Sequence, residues 1–239
     1  MPAAFSRTRR VLGAGSDAVL AGATVAVFGL GGVGSFAAEA LARAGVGHLI
    51  LVDADAVEES NLNRQLYALH STLGRKKAEV AAERARDINP LVQAEAFALF
   101  YPPDADGKTP VDLSRCSFIA DCIDSVPSKV NLIANAQAAG VPLLSCMGTG
   151  NKTDPLAFRF ADIYSTSVCP LARAVRRELR KRGITAQRVL FSTEPPVPDG
   201  GPGNVLPGVR RAVGSVPFVP PVAGLLMAGE IIRGLLAAS

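Results

Sequence analysis

Short apolar runs alternate with amphipathic stretches through the first half of the chain. Residues 24–28 (TVAVF) and 48–52 (HLILV) are unbroken aliphatic and β-branched runs of strand length. Such runs suit strands buried on both faces of a parallel sheet. A glycine turn and a helix reaching residue 44 follow the first run. A helix over 76–88 is stopped by Asn89-Pro90, because the residue before proline is pushed out of the helical region. Strands over 92–98, 118–123 and 142–146, with a helix over 128–139, continue the alternation. This order predicts an α/β fold, with a doubly wound, Rossmann-like, mostly parallel sheet and helices on both faces.

The second half is less regular. It reads as a helix over 171–182, a strand over 188–192, a mobile Pro/Gly-rich loop over 194–210 and an apolar helix over 222–236. The expected organisation is one domain in three parts: an N-terminal arm (1–22), a nucleotide-binding core (23–150) and a C-terminal substrate and dimer part (151–239). Residues 212–229 carry no charge, a length at the lower limit for a membrane span. Pro217, Pro220 and Pro221 interrupt that stretch and Glu230 and Arg233 follow it. A helix buried in the protein or at a dimer contact is therefore expected rather than an integral membrane segment, with peripheral membrane contact as the alternative. Thr8-Arg9-Arg10 mimics a twin-arginine export signal. Asp17 breaks the apolar run behind it, and the next run leads straight into the glycine loop, so export is not expected.

Composition sharpens this picture. Hydrophobic residues are 49% of the 239, yet aromatics are only 5% and there is no Trp, so the core must be aliphatic. The four cysteines form no CxxC pair and there are two His, which argues against zinc. Small buried thiols in a cytoplasmic protein are expected.

The candidate chemistry starts at Gly29-Leu30-Gly31-Gly32-Val33-Gly34, between a strand and a helix. Gly29 permits the tight turn, Gly31 and Gly32 let the backbone approach phosphate, and Gly34 allows close helix packing. The helix N-terminus then offers unpaired N–H groups to an anion. Asp53 follows nineteen residues after Gly34 at a strand end, where it can accept hydrogen bonds from ribose hydroxyls.

The loop alone does not name the nucleotide. Beyond Asp53 lies a polar, cationic arm containing Asp55, Asn61, Asn63 and Arg64. Lys77 stands at a predicted helix start, and Asp124 at the end of the strand over 118–123. A hydride acceptor has no departing phosphate and does not need such an arm. Transfer of AMP from ATP to a carboxylate does, since both reactants are anionic and charge builds up as pyrophosphate leaves. Arg64 and Lys77 would neutralise that charge and Asp124 would hold Mg²⁺ on the phosphates. Taken singly, Lys77 also fits a solvated helix charge, Arg64 a surface arm and Asp124 a strand-end cap.

GLGGVGS, the D-x-D…SNLNRQ stretch, the G-x-x-K-A-E helix start and D-C-I-D-S together resemble the ubiquitin-activating-type adenylating superfamily. Within it, the G-V-G-S-x-A-A-E-A-L-A-R run, the missing CxxC pairs and the V-L-F-S-T-E string are most similar to the tRNA threonylcarbamoyladenosine dehydratases. The resemblance implies that Gly29, Gly31 and Gly34 hold phosphate and that Asp53 binds ribose. Asn61, Arg64 and Lys77 would contact the triphosphate, and Asp124 the metal or the reacting phosphate. Arg10, in the arm, resembles an arginine that reaches the partner's ATP in family dimers, which implies a homodimer. The implied reaction activates the carboxylate of threonylcarbamoyladenosine in tRNA, which then closes into a ring.

The formal net charge of +4 concentrates on the predicted helix over 171–182. Arg173, Arg176, Arg177, Arg180 and Lys181 lie on it with Glu178 as its one acid. Leu171, Val175 and Leu179 would face the core, leaving a cationic outer face for tRNA phosphates. No aromatic platform stands nearby for stacking bases. A solvated helix face is the plain alternative.

Three further readings stay open. The chain could activate a ubiquitin-like sulfur-carrier protein, with Cys169 as a thioester or relay thiol that no base or helix N-terminus activates. It could be an NAD-dependent oxidoreductase, or an inactive nucleotide-binding partner.

Overall fold

The structure is a computed structural model and describes residues 3–102, 111–198 and 213–238. Strands β1 (Thr24–Phe28), β2 (His48–Val52), β3 (Gln93–Phe97), β4 (Phe118–Asp121), β5 (Leu143–Cys146), β6 (Phe158–Asp162) and β7 (Arg188–Ser192) share one sheet. Their order is β3-β2-β1-β4-β5-β7-β6. All neighbours run parallel except β6, which is antiparallel to β7. The chain builds outward from β1 to β3, then returns to start β4 on the other side of β1. The crevice at that reversal, above the strand C-termini, is where ligands bind in such sheets.

Residues alternate between two cores along each central strand, since successive side chains point to opposite faces. Val25, Val27, Leu49 and Leu51 pack with α3 (Gly34–Ala44), α4 (Lys77–Ile88) and α7 (Val219–Ala237). Ala26, Phe28, Ile50 and Val52 pack with α5 (Val126–Ala138) and α6 (Pro170–Lys181). The arm folds as α1 (Ser6–Leu12) and α2 (Ser16–Gly22).

The expected doubly wound sheet is present, with instructive differences. Strand β6 escapes the hydrophobic pattern because it is an edge strand carrying Arg159 and Asp162, with most of its residues half-exposed or exposed. Strand β4 stops at Asp121, so Asp124 lies in the following loop and not at the strand end. The cause is local: Asp121 Oδ1 accepts from the Ile123 N–H at 3.1 Å, a side-chain turn that ends the extended run. Helix α6 begins one residue earlier than expected. Of the loop expected over 194–210, residues 199–210 lie outside the described residues.

Helix α7 is long and apolar enough to cross a bilayer by length and composition alone. One side of it is core: Ala223, Met227, Ile231 and Leu235 are buried. It lies against α3 so closely that a Cβ on Gly224 would sit 2.3 Å from the Val33 carbonyl oxygen. All four cysteines are free thiols. Burial pushes Cys116 up to about 11 and Cys146 up to about 12.

Beneath the crevice lies a cluster that sequence reasoning missed. Lys129 of α5 and Asp121 of β4 are both fully buried and 2.9 Å apart. Lys129 Nζ also donates to Ser145 Oγ at 3.1 Å and to the Cys146 carbonyl at 2.9 Å. Ser145 Oγ donates to Asp121 Oδ2 at 2.6 Å. All three ammonium N–H groups thus have acceptors. Replacing Lys129 by Met strands the buried Asp121 carboxylate. The expected loss is about 3–5 kcal/mol of stability, read as a lower urea midpoint. The double variant Asp121→Asn/Lys129→Met should recover part of it.

Candidate active site

The glycine loop leaves β1 through Gly29, whose φ is +83°. A Cβ there would also lie 2.7 Å from the Cys122 carbonyl oxygen, so both conformation and space demand glycine. Gly34 is tighter: its Cβ would fall 1.8 Å from the Gly29 carbonyl oxygen. Gly32 abuts Pro220 at the start of α7, with a Cβ distance of 2.9 Å. Gly31 differs from these three. Its nearest neighbour in the same construction is Gln65 Nε2 at 3.7 Å, and it lines an open cleft of about 720 Å³. The open face of the loop is therefore at Gly31, as a site for phosphate requires. Helix α3 starts directly behind it with no side-chain cap; the Ser35 and Ala37 N–H groups are taken by the Gly31 and Val33 carbonyls, and the remaining first-turn N–H groups and the helix dipole face an anion.

Asp53 closes the loop from β2. Its Oδ2 accepts from the Leu30 N–H at 2.6 Å and its Oδ1 from the Asp55 N–H at 2.8 Å. Burial raises its pKa, and these two backbone bonds oppose the rise. Each oxygen keeps a lone pair for a ligand hydroxyl. Asp53 thus holds the loop in shape as well as lining the cleft.

The arm after Asp53 brings Arg64 and Lys77 to the same cleft. Lys77 is the first residue of α4 and is buried, with Nζ 3.0 Å from Asp55 Oδ2. Arg64 Nη1 donates to the Ser60 carbonyl and to Asn63 Oδ1, each at 2.9 Å. Asp55 therefore serves as the counterion of Lys77. Asn61 and Asn63 are not brought to the cleft wall, because their amides are engaged elsewhere. Asn61 Oδ1 accepts from the Glu58 N–H at 3.2 Å. Asn63 Nδ2 donates to the Ser215 carbonyl at 3.0 Å, tying the arm to the segment before α7. Asp124 lines the cleft from the loop after β4. Among the described residues its carboxylate has no hydrogen-bond or ion-pair partner. No cluster of three or more His, Cys, Asp or Glu is present among them either. A single unpaired carboxylate facing the cleft is a donor that fits Mg²⁺, which takes one or two carboxylates and completes its shell with phosphate and water.

Arg10 lies outside the cleft, exposed on α1. Its neighbour Arg9 pairs with Asp17 at 3.3 Å, whereas Arg10 has no partner among the described residues. Helix α6 buries Ala172, Val175 and Leu179, while Leu171 is half-buried and lines the cleft. Arg173, Arg177, Arg180 and Lys181 are exposed as expected. Arg176 is not free: its Nη1 donates to the Ile163 and Thr166 carbonyls and to Thr166 Oγ1, so it braces the loop before α6. Arg177 and Lys181 share Glu178, and Arg180 stacks over Tyr164 at 5.1 Å. Because α6 starts at Pro170, Cys169 is its N-cap residue and lines the cleft. Its thiol makes no cap hydrogen bond to the first turn of the helix.

Lys152 also reaches this cleft, buried, from the loop after β5. The sequence signal for it was a basic residue in a glycine-flanked loop beyond a central strand's C-terminal end, where crevice residues sit.

The ThiF family description matches residues 5–238. A tRNA threonylcarbamoyladenosine dehydratase of Bacillus subtilis is 40% identical, covering 97% of this chain and 94% of its own. The crystal structure of the Escherichia coli tRNA N6-threonylcarbamoyladenosine dehydratase in complex with ATP superposes with a TM-score of 0.86 at 33% identity. It covers 98% of this chain and 94% of its own. The AMP complex of that enzyme gives a TM-score of 0.87 over the same shares. Glycine loops of this kind occur in many nucleotide folds, but a match across nearly the whole length does not, and the chain belongs to the ThiF family.

Proposed function

We propose that this protein is an ATP-dependent adenylating enzyme that cyclises threonylcarbamoyladenosine in tRNA. The observation that carries the reading is near full-length similarity to such dehydratases, combined with a cleft that gathers Gly31, Asp53, Arg64, Lys77 and Asp124. In this reading the ribose lies at Asp53 and the phosphates on Gly31 and the α3 N-terminus. A carboxylate oxygen of the modified base attacks the α-phosphorus, and the bond to pyrophosphate breaks. Arg64 and Lys77 neutralise the departing charge; their present partners, a carbonyl, an amide and Asp55, are ones a phosphate can replace. Mg²⁺ held by Asp124, when bound, would add further neutralisation on the phosphates. The ureido group of the same base then attacks the activated carbonyl, AMP leaves and the ureido proton passes to solvent. Attack within one molecule needs no enzyme nucleophile, since its effective concentration is already high.

The exposed basic face of α6 would hold tRNA phosphates. Arg10, free on α1, would reach the ATP of a second copy in a homodimer.

Purified protein with ATP should release AMP only when modified tRNA is added, and the tRNA should lose the mass of one water. AMP release triggered by a ubiquitin-like carrier protein alone would favour the sulfur-carrier reading, with Cys169 as its acceptor. Lys77→Ala and Arg64→Ala should each slow turnover at least tenfold, and near-normal rates would reduce both to surface charges. Arg173→Ala should weaken modified and unmodified tRNA alike. It should also lower the slope of log affinity against log salt by about 1, measured by titration at several salt concentrations.

A further inference from the structure

Three lysines are buried among the described residues: Lys77, Lys129 and Lys152. Two face an aspartate, Lys77 at 3.0 Å and Lys129 at 2.9 Å. Lys152 does not. Only 3% of it is exposed, yet among the described residues its ammonium makes no ion pair. Its one hydrogen bond goes to the Glu194 backbone carbonyl, a neutral acceptor. The nearby Glu194 carboxylate is occupied elsewhere. It accepts from the Thr153 N–H at 2.9 and 3.1 Å, from Thr153 Oγ1 at 3.0 Å and from the Asp154 N–H at 3.0 Å. A buried charge without a direct ion pair is costly: burial lowers the Lys152 pKa, and the Glu194 carboxylate opposes this only through space. This ammonium lines the cleft, and among the described residues two of its three N–H groups have no acceptor. The N-terminus of α6 lines the same wall through Cys169, Pro170 and Leu171, adding the positive end of a helix dipole. Among the described residues, no ion pair balances the positive charge of this part of the wall, which suits it to an anionic ligand.

The sheet order says which anion. Asp53 follows β2, the glycine loop follows β1, Asp124 follows the neighbouring β4, and Lys152 follows β5. Ribose, phosphate and metal groups therefore line up across successive strand ends, and Lys152 comes next. At about 4.8 Å per strand, β5 lies roughly 10 Å from β1, beyond the phosphate loop but within one small molecule's reach of it.

We propose that Lys152 binds the carboxylate of the acyl substrate and presents it to the α-phosphate. The assignment rests on the adenylation reading above. A lysine suits the task because it is a point charge and can hold one carboxylate oxygen while the other attacks. An arginine fork tends to engage both.

The test compares equilibrium binding, without ATP, of tRNA carrying threonylcarbamoyladenosine and of the same tRNA with that carboxylate methyl-esterified. Contacts to tRNA phosphates are common to both, so their affinity ratio isolates the carboxylate. Wild type should prefer the acid about tenfold or more, the scale of a hydrogen bond to a charged group. Lys152→Gln keeps a donor for the Glu194 carbonyl but removes the charge, and should bring the ratio near one while ATP affinity stays within twofold. Lys152→Met should do the same, and Lys152→Arg should keep the preference. An unchanged ratio in Lys152→Gln or Lys152→Met, or its loss in Lys152→Arg, overturns the proposal. So does a wild type that cyclises tRNA yet binds acid and ester alike. A wild type that leaves modified tRNA unaltered in the presence of ATP instead overturns the reading of the function itself.

Discussion

The buried pair of Asp121 and Lys129 fixes the floor on which everything above it stands. Moving two such charges out of water costs several kcal/mol each, and their attraction offsets this only with good geometry and complete hydrogen bonding. Here both conditions hold. Lys129 spends its three protons on Asp121, Ser145 and the Cys146 carbonyl. Asp121 takes Lys129 and Ser145 on one oxygen and the Ile123 N–H on the other. The pair therefore joins the C-terminal ends of β4 and β5 to α5. The loops leaving those two strand ends carry Asp124 and Lys152, so one buried cluster sets the spacing of both. The β4–β5 ladder already sets Asp121 level with Ser145, and the cluster ties α5 to that register.

A similar economy governs the other half of the crevice. Asp53 holds the Leu30 and Asp55 N–H groups and so locks the glycine loop to the arm. Asp55 in turn holds Lys77, by its carboxylate at 3.0 Å and by its carbonyl, which accepts from the Lys77 N–H at 3.0 Å. The cations of the arm are thus set in place before any ligand arrives. Fixed charges of this kind need no reorganisation when negative charge develops, which is why they act more strongly than mobile ones.

Much of this was legible in the sequence. The runs TVAVF and HLILV gave away β1 and β2 because strands buried on both faces must be apolar throughout. The glycine loop and Asp53 were readable because backbone sterics and strand-end position demand those residues. Other parts were hidden for physical reasons. Strand β6 pairs only at an edge and keeps Arg159 and Asp162. Asn61 and Asn63 look like ligand contacts, but an amide satisfies backbone groups equally well, and only the fold reveals which it does. Arg176 lies among exposed neighbours on the basic helix, yet its target, the Thr166 loop, is ten residues away and meets it only through the tertiary fold. Lys129 was invisible because a lysine in a helix reads as a surface charge until its partners on β4 and β5 are known.

The thiols bear on how the chemistry is divided. Cys122 lines the cleft and is pushed well above the usual thiol range by burial, and Cys146 beside it rises to about 12. Neither is ionised near neutral pH, and the thiolate is the reactive form. A site that passed an activated acyl group to these sulfurs would work against its own solvation. In the proposed reaction the substrate carries its own nucleophile, so the protein's task reduces to bringing two anions together without letting them repel. The arrangement fits that task. Arg64 and Lys77 line the cleft from the arm and the buried Lys152 lines it two strands further along, while Asp53 is bonded to backbone N–H groups, Asp55 is paired with Lys77 and Asp124 is unpaired among the described residues. The fold contributes little reactive chemistry of its own and a great deal of fixed positive charge.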